Sequence, residues 1–85
     1  NDLLTINGVD ASFVAVAKNG GVNISARSMG ALNVQVILEP LGGGGLLMMA
    51  GAELHDCTLQ DAETRIREQI DIYRAAQAAQ QDAAR

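Results

Sequence analysis

Residues Ala11-Ser12-Phe13-Val14-Ala15-Val16-Ala17-Lys18-Asn19-Gly20-Gly21-Val22-Asn23-Ile24-Ser25-Ala26-Arg27-Ser28 read as two strands joined by a tight turn. The first run, 11–17, is apolar and rich in β-branched side chains, as a central strand covered on both faces would be. The second, 22–28, alternates with period two. Val22, Ile24 and Ala26 fall on one face, and Asn23, Ser25 and Arg27 on the other. Between them Asn19-Gly20 supplies the positive φ angles that a two-residue hairpin turn demands. One face of this hairpin packs on a core while the other presents polar groups.

Downstream, Val34, Ile37, Leu38 and Leu41 recur at i, i+3, i+4 and i+7, one stripe of a short helix with Asn33 as its N-cap. Pro40 has no amide hydrogen and disfavours a helical Glu39, so the helix ends or kinks there. Gly42 to Gly45 follow as a four-glycine run. Such a run is costly in backbone entropy and implies unusual backbone angles or close backbone approach. Leu46 to Met49 lead into a third strand over 50–54. Thr58 and Asp61 form a capping box with Asp in the Glu position, and Ala62, Ile66, Ile70, Tyr73 and Gln77 continue one stripe of a helix reaching about residue 78. Asp61–Arg65 and Glu63–Arg67 are i,i+4 pairs on its outer side. The fold class expected is α+β: a small mixed β-sheet, the hairpin plus a further strand, packed with two helices. Residues 1–10 are expected as a linker or the end of a preceding helix, 11–78 as the folded domain, and 79–85 as a frayed C-terminal tail.

Composition bounds the function. At 85 residues, 48% hydrophobic and 19% charged, the chain has length for one hydrophobic core. One His and one Cys cannot make a Cys/His zinc site or an internal disulfide, which points to a reducing, cytosolic compartment. No apolar run approaches the roughly 18 residues of a membrane span, and a start at Asn1 suggests part of a longer chain. In residues 1–52, Lys18 and Arg27 face Asp2, Asp10 and Glu39, leaving −1. The remaining residues hold four Arg and seven acids, leaving −3. With no basic stripe, non-specific grip on long nucleic acid is disfavoured, and an anionic partner would be small or held by backbone groups and one or two Arg.

Two features carry candidate chemistry. Backbone amides of the glycine run can converge on a phosphate, although no Gly-Lys-Ser/Thr ending or GxGxxG accompanies them; a plain helix-ending or sheet-packing turn is the alternative. Arg27 offers a planar fork for phosphate oxygens and Ser28 a hydroxyl; the alternative is a surface Arg paired with a carboxylate. His55 beside Asp56 reads as a solvated loop histidine, Cys57 as a small packing residue, and Leu46 to Met49 as core or interface.

Taken together, Ile24-Ser25-Ala26-Arg27-Ser28, Asn33-Val34-Gln35-Val36-Ile37, Leu41-Gly42-Gly43-Gly44-Gly45 and Ala50-Gly51-Ala52 resemble the DHH-associated domain, the C-terminal half of DHH phosphoesterases. The resemblance spans from about Leu3 to the last helix. The Asn33–Ile37 stretch is most similar to the GdpP-type cyclic di-AMP phosphodiesterases, rather than to the nanoRNase or RecJ-like branches. It implies a substrate-binding domain with no catalytic residue and no metal ligand of its own. Two divalent metals, manganese in most such proteins, would sit in a separate DHH domain that activates water for phosphodiester hydrolysis. By the same resemblance Arg27 and Ser28 hold a substrate phosphate, Gly43, Gly44 and Gly45 approach the nucleotide through their backbone, and Asn33 lies near the same cleft. The implied partners are a cyclic dinucleotide or short oligonucleotide and the DHH domain of the same chain, with a homodimer left open. The implied parent is anchored to the bacterial membrane, with this domain on the cytoplasmic side and not itself inserted.

The family loop reads Gly-Gly-Gly-Gly-His, with the histidine contacting substrate, whereas the fifth position here is Leu46. Leu cannot hydrogen-bond a phosphate. Two alternatives therefore stand beside cyclic di-AMP hydrolysis: an oligonucleotide phosphodiesterase of the same architecture, and a non-catalytic nucleotide-sensing or interaction module.

Overall fold

A computed structural model describes residues 3–8 and 10–83. The order is β1 (Leu3–Asn7), β2 (Ala11–Lys18), β3 (Gly21–Ser28), α1 (Val34–Leu38), β4 (Gly44–Gly45), β5 (Met49–Leu54) and α2 (Leu59–Ala83). The strands form one sheet in the order β1-β2-β3-β5-β4, antiparallel throughout.

The α+β class holds, and the sheet is larger than the hairpin plus one strand. Leu3–Asn7, expected as linker or helix end, is instead edge strand β1, with Leu4 opposite Ala15 and Ile6 opposite Phe13. Burial of Ile6 against the core supplies the drive that five residues of weak alternation could not advertise. Part of the glycine run, Gly44–Gly45, is a strand as well. The sheet is not mixed, because each connection is either a tight hairpin or the α1 segment returning β5 antiparallel to β3.

The β2–β3 hairpin closes on Asn19 and Gly20 at φ 52° and 79°, the geometry of a type I′ turn. Asn33 caps α1, its side chain accepting from the Val36 amide at 3.2 Å. The helix tightens to a 3₁₀ turn over Glu39–Leu41 at Pro40 and stops at Gly42, φ 86°. At the start of α2 the Asp61 amide donates to Thr58 Oγ1, and the Thr58 amide to Asp61 Oδ2, both at 3.1 Å. That helix runs to Ala83 rather than to about residue 78, because the Ala/Gln-rich end is a strong helix former even with little to bury. Most of the expected frayed tail is thus helical, and its last two positions, 84 and 85, lie outside the described residues.

Both helices pack on one face of the sheet. Phe13, Val22, Val34, Ile37, Leu38 and Ile66 are fully buried there, each contributing roughly 1.5–3 kcal/mol by leaving water. The second face carries no helix among the described residues.

Candidate functional site

Antiparallel register sorts the open face into three rows. Ser12, Arg27 and Met49 make the first, Val14, Ser25, Gly51 and Gly44 the second, and Val16, Asn23 and Glu53 the third. The middle row has little side chain on its β3–β5–β4 side: Ser25 is small, and Gly51 and Gly44 face each other with none. A bare strip of backbone thus crosses two strands, walled by Arg27 and Met49 on one side and by Asn23 and Glu53 on the other. Two shallow depressions lie along it, one of about 410 Å3 touching Ser12, Ser25, Arg27 and Met49, the other of about 440 Å3 lined by Asn23, Gly42–Gly44, Gly51 and Glu53.

Arg27 is exposed and makes no ion pair or hydrogen bond with any described residue, so the paired-surface-Arg alternative does not apply among them. Gly44 shares its face, about 12 Å away by strand spacing and rise. Ser28 does not join them. As the next residue of the same strand it points to the core side, is buried, and its Oγ donates to the Gly30 carbonyl at 3.1 Å while accepting from the Gly30 amide. Asn33 is also on the helix side, where its amide donates to the Tyr73 hydroxyl and its side-chain oxygen is engaged in the cap.

The four glycines have separate reasons to be glycine. Gly42 ends a helix at positive φ. A Cβ on Gly43 would strike the Gly51 carbonyl oxygen, and one on Gly45, at φ 142°, would come within 2.7 Å of Ala50 Cα. Gly44 has neither constraint: its φ is ordinary and a Cβ there would meet nothing within 4 Å. Gly45 faces the core side opposite Ala50, so Gly44 is the member of the run that borders the open face.

Around the tip of the β4–β5 turn, Leu46, Leu47, Met48 and Met49 are all exposed, Leu46 the most at 72%. They are not core. Their backbone is what the fold uses: the Leu46 amide donates to Met49 O, and the Met48 and Leu47 carbonyls accept from the Ser28 and Val34 amides. His55 is exposed, with Nε2 3.6 Å from Glu53 Oε1, and Cys57 packs against the core edge. Of the predicted pairs on α2, Glu63–Arg67 forms at 3.0 Å, while Asp61 and Arg65 make no salt bridge. The Thr58 backbone amide, followed by its hydroxyl, holds the Asp61 carboxyl below its ordinary pKa.

Asn23 and Ser25 share the polar face of β3 with Arg27, as the alternation along 22–28 predicts, and Gly51 lies within the Ala50-Gly51-Ala52 motif; Met49 and Glu53 are the open-face residues that the sequence reading did not single out. Period-two alternation along 49–53, set against 23–27, is the signal that places them there.

Compared with known families, residues 1–80 match the DHHA1 domain. The chain belongs to the DHHA1 family. This establishes the DHH-associated resemblance that the Arg-Ser, Asn-Val and glycine motifs suggested. Relatives of this DHHA1 domain include the cyclic-di-AMP phosphodiesterase GdpP of Geobacillus thermodenitrificans, 56% identical over 84% of the chain, and the cyclic-di-AMP phosphodiesterase PdeA of Listeria monocytogenes, 47% identical over 84%. The bifunctional oligoribonuclease and PAP phosphatase NrnA of Thermus thermophilus is 38% identical over 73% of the chain. The domain spans 11% of the first two proteins and 20% of the third.

Among the described residues no three His, Cys, Asp or Glu side chains cluster as a metal site, and no helix is long and apolar enough to cross a membrane. The described residues offer no ligand set for a two-metal centre.

Proposed function

We propose that this DHHA1 domain binds the substrate of a cyclic di-AMP phosphodiesterase, through the open face of its sheet. The observation that carries the reading is Arg27, unpaired among the described residues on that face and beside a backbone strip kept bare by Gly44 and Gly51. An unpaired guanidinium is free to take a phosphate in its fork, and the bare strip lets a ligand approach the main chain closely. The two relatives of highest identity quoted above, both cyclic-di-AMP phosphodiesterases, support the substrate class.

In this reading the domain holds and orients a phosphodiester against a DHH domain elsewhere in the parent protein. That domain would hold two divalent metals, manganese by preference, and supply the activated water. Ser28 acts indirectly, fixing the strand end beyond Arg27 through its turn with Gly30, rather than as a phosphate ligand. Asn33 supports the neighbouring helix. The parent is proposed to be membrane-anchored with this domain on the cytoplasmic side.

Calorimetric titration of the full-length protein with cyclic di-AMP tests the reading. A charge-assisted hydrogen bond contributes about 1.5–3 kcal/mol, so Arg27→Ala should weaken binding roughly 10- to 150-fold. Unchanged affinity would overturn it. Leu46 favours a second reading, a nucleotide sensor that binds without turnover: an apolar, 72% exposed side chain stands where a phosphate donor would be of use. Tight binding with no hydrolysis, and turnover on Leu46→His, would select it.

A further inference from the structure

The third row of the open face is not explained by phosphate binding. Asn23 and Glu53 stand directly opposite each other on β3 and β5, both exposed, at the rim of the depression whose floor is Gly51 and Gly44. The Asn23 carboxamide has no hydrogen-bond partner among the described residues. Among the described residues Glu53 has one polar neighbour, His55, whose Nε2 lies 3.6 Å from Oε1, at ion-pair range but beyond hydrogen-bond length. A carboxylate and a carboxamide therefore face a surface flat enough for a planar group to lie on. Arg27 is four residues along the same strand from Asn23, about 13 Å. Arg and Glu side chains are long enough to shorten that span to the scale of one nucleotide.

Resting on the reading above, we propose that Asn23 and Glu53 read the base of the bound nucleotide, selecting adenine by its exocyclic amine. The ring lies on the Gly44–Gly51 backbone. Asn23 offers a donor and an acceptor, the pair that matches adenine N7 and N6, and the Glu53 carboxylate accepts the second amine hydrogen. A 6-oxo base in the same place would turn a carbonyl oxygen toward a carboxylate that has no proton to give. Gly44 fits this role because nothing in the fold requires a glycine there, and a side chain would rise into the space the base occupies.

The test compares cyclic di-AMP with its deaminated counterpart, cyclic di-IMP, as ligands of the full-length protein. The wild type is expected to prefer cyclic di-AMP by roughly 5- to 150-fold, the discrimination of one bidentate contact. Glu53→Gln, which can donate as well as accept, should shrink or reverse that ratio, and a merely structural role for Glu53 would weaken both ligands alike. Equal wild-type affinities, or a ratio unmoved by both Glu53→Gln and Asn23→Ala, would overturn the inference. Arg27→Ala separates the two claims: it should weaken both ligands while preserving their ratio, and if it weakens neither, the phosphate reading fails while base selection is still judged on the ratio.

Discussion

A methyl group built on Gly43 would run into the Gly51 carbonyl oxygen and come 2.6 Å from Ala52 Cβ, whereas one on Gly44 would meet open space. The two adjacent glycines thus answer to different demands. Gly43→Ala forces β5 away from the α1 segment and should cost about 1–3 kcal/mol, the usual penalty of overpacking. Gly44→Ala should leave stability within about 0.5 kcal/mol, or raise it slightly by restricting the unfolded chain. Denaturant midpoints of the two variants check the contrast, and an equally damaging Gly44→Ala would mean that the loop is glycine for structural reasons alone. At this scale the glycine run was legible in the sequence as a demand for unusual backbone, but which glycine serves the open face depends on close approaches across β5 that no local pattern records. The Arg27–Ser28 pair shows the same limit. Adjacent residues of a strand point to opposite faces, so the motif's two members part once 22–28 is accepted as strand.

Elements were legible where their ends carry chemistry. Asn19-Gly20, the Asn33 cap, Pro40 and the Thr58–Asp61 box each mark a boundary by a specific hydrogen bond or backbone angle. β1 and β4 lacked such marks: five residues of mild alternation and two glycines become strands only because a neighbour pairs with them. The capping box makes a prediction with a definite sign. Asp61 titrates lower in the folded state because the Thr58 amide and hydroxyl bond to its carboxylate form. Its contribution is therefore complete above the unfolded value of about 3.9 and is lost as pH falls through the lowered folded value. Asp61→Asn should flatten the decline in melting temperature as pH falls through and below the ordinary carboxylate range. Thr58→Ala should cost about 1 kcal/mol, or roughly 4–8 °C for a domain of this size. An acid limb as steep in Asp61→Asn as in the wild type would remove the carboxylate from the explanation.

For the whole molecule, the described residues extend 48 × 20 × 20 Å, and the long dimension comes from α2, whose 25 residues rise about 37 Å. Only its first half belongs to the core. Ala62 and Ile66 are fully buried, Ile70 and Tyr73 pack at the margin, and every residue from Arg74 to Ala83 is exposed. Exposed outer turns gain little beyond intrinsic propensity, so their opening free energy is near zero and uncoupled from global unfolding. A helix-interior proline costs about 3 kcal/mol wherever the helix must stay formed. At Ala79 it need not stay formed: Ala79→Pro should remove a few turns of helical circular dichroism and leave the thermal midpoint nearly unchanged. At Ile66 the same substitution breaks the helix where it covers the sheet and empties a fully buried site, and folding should fail. If Ala79→Pro instead lowered the midpoint by several degrees, the outer half of α2 would be bearing contacts within the folded unit, and the division between a packed half and a free half would be wrong.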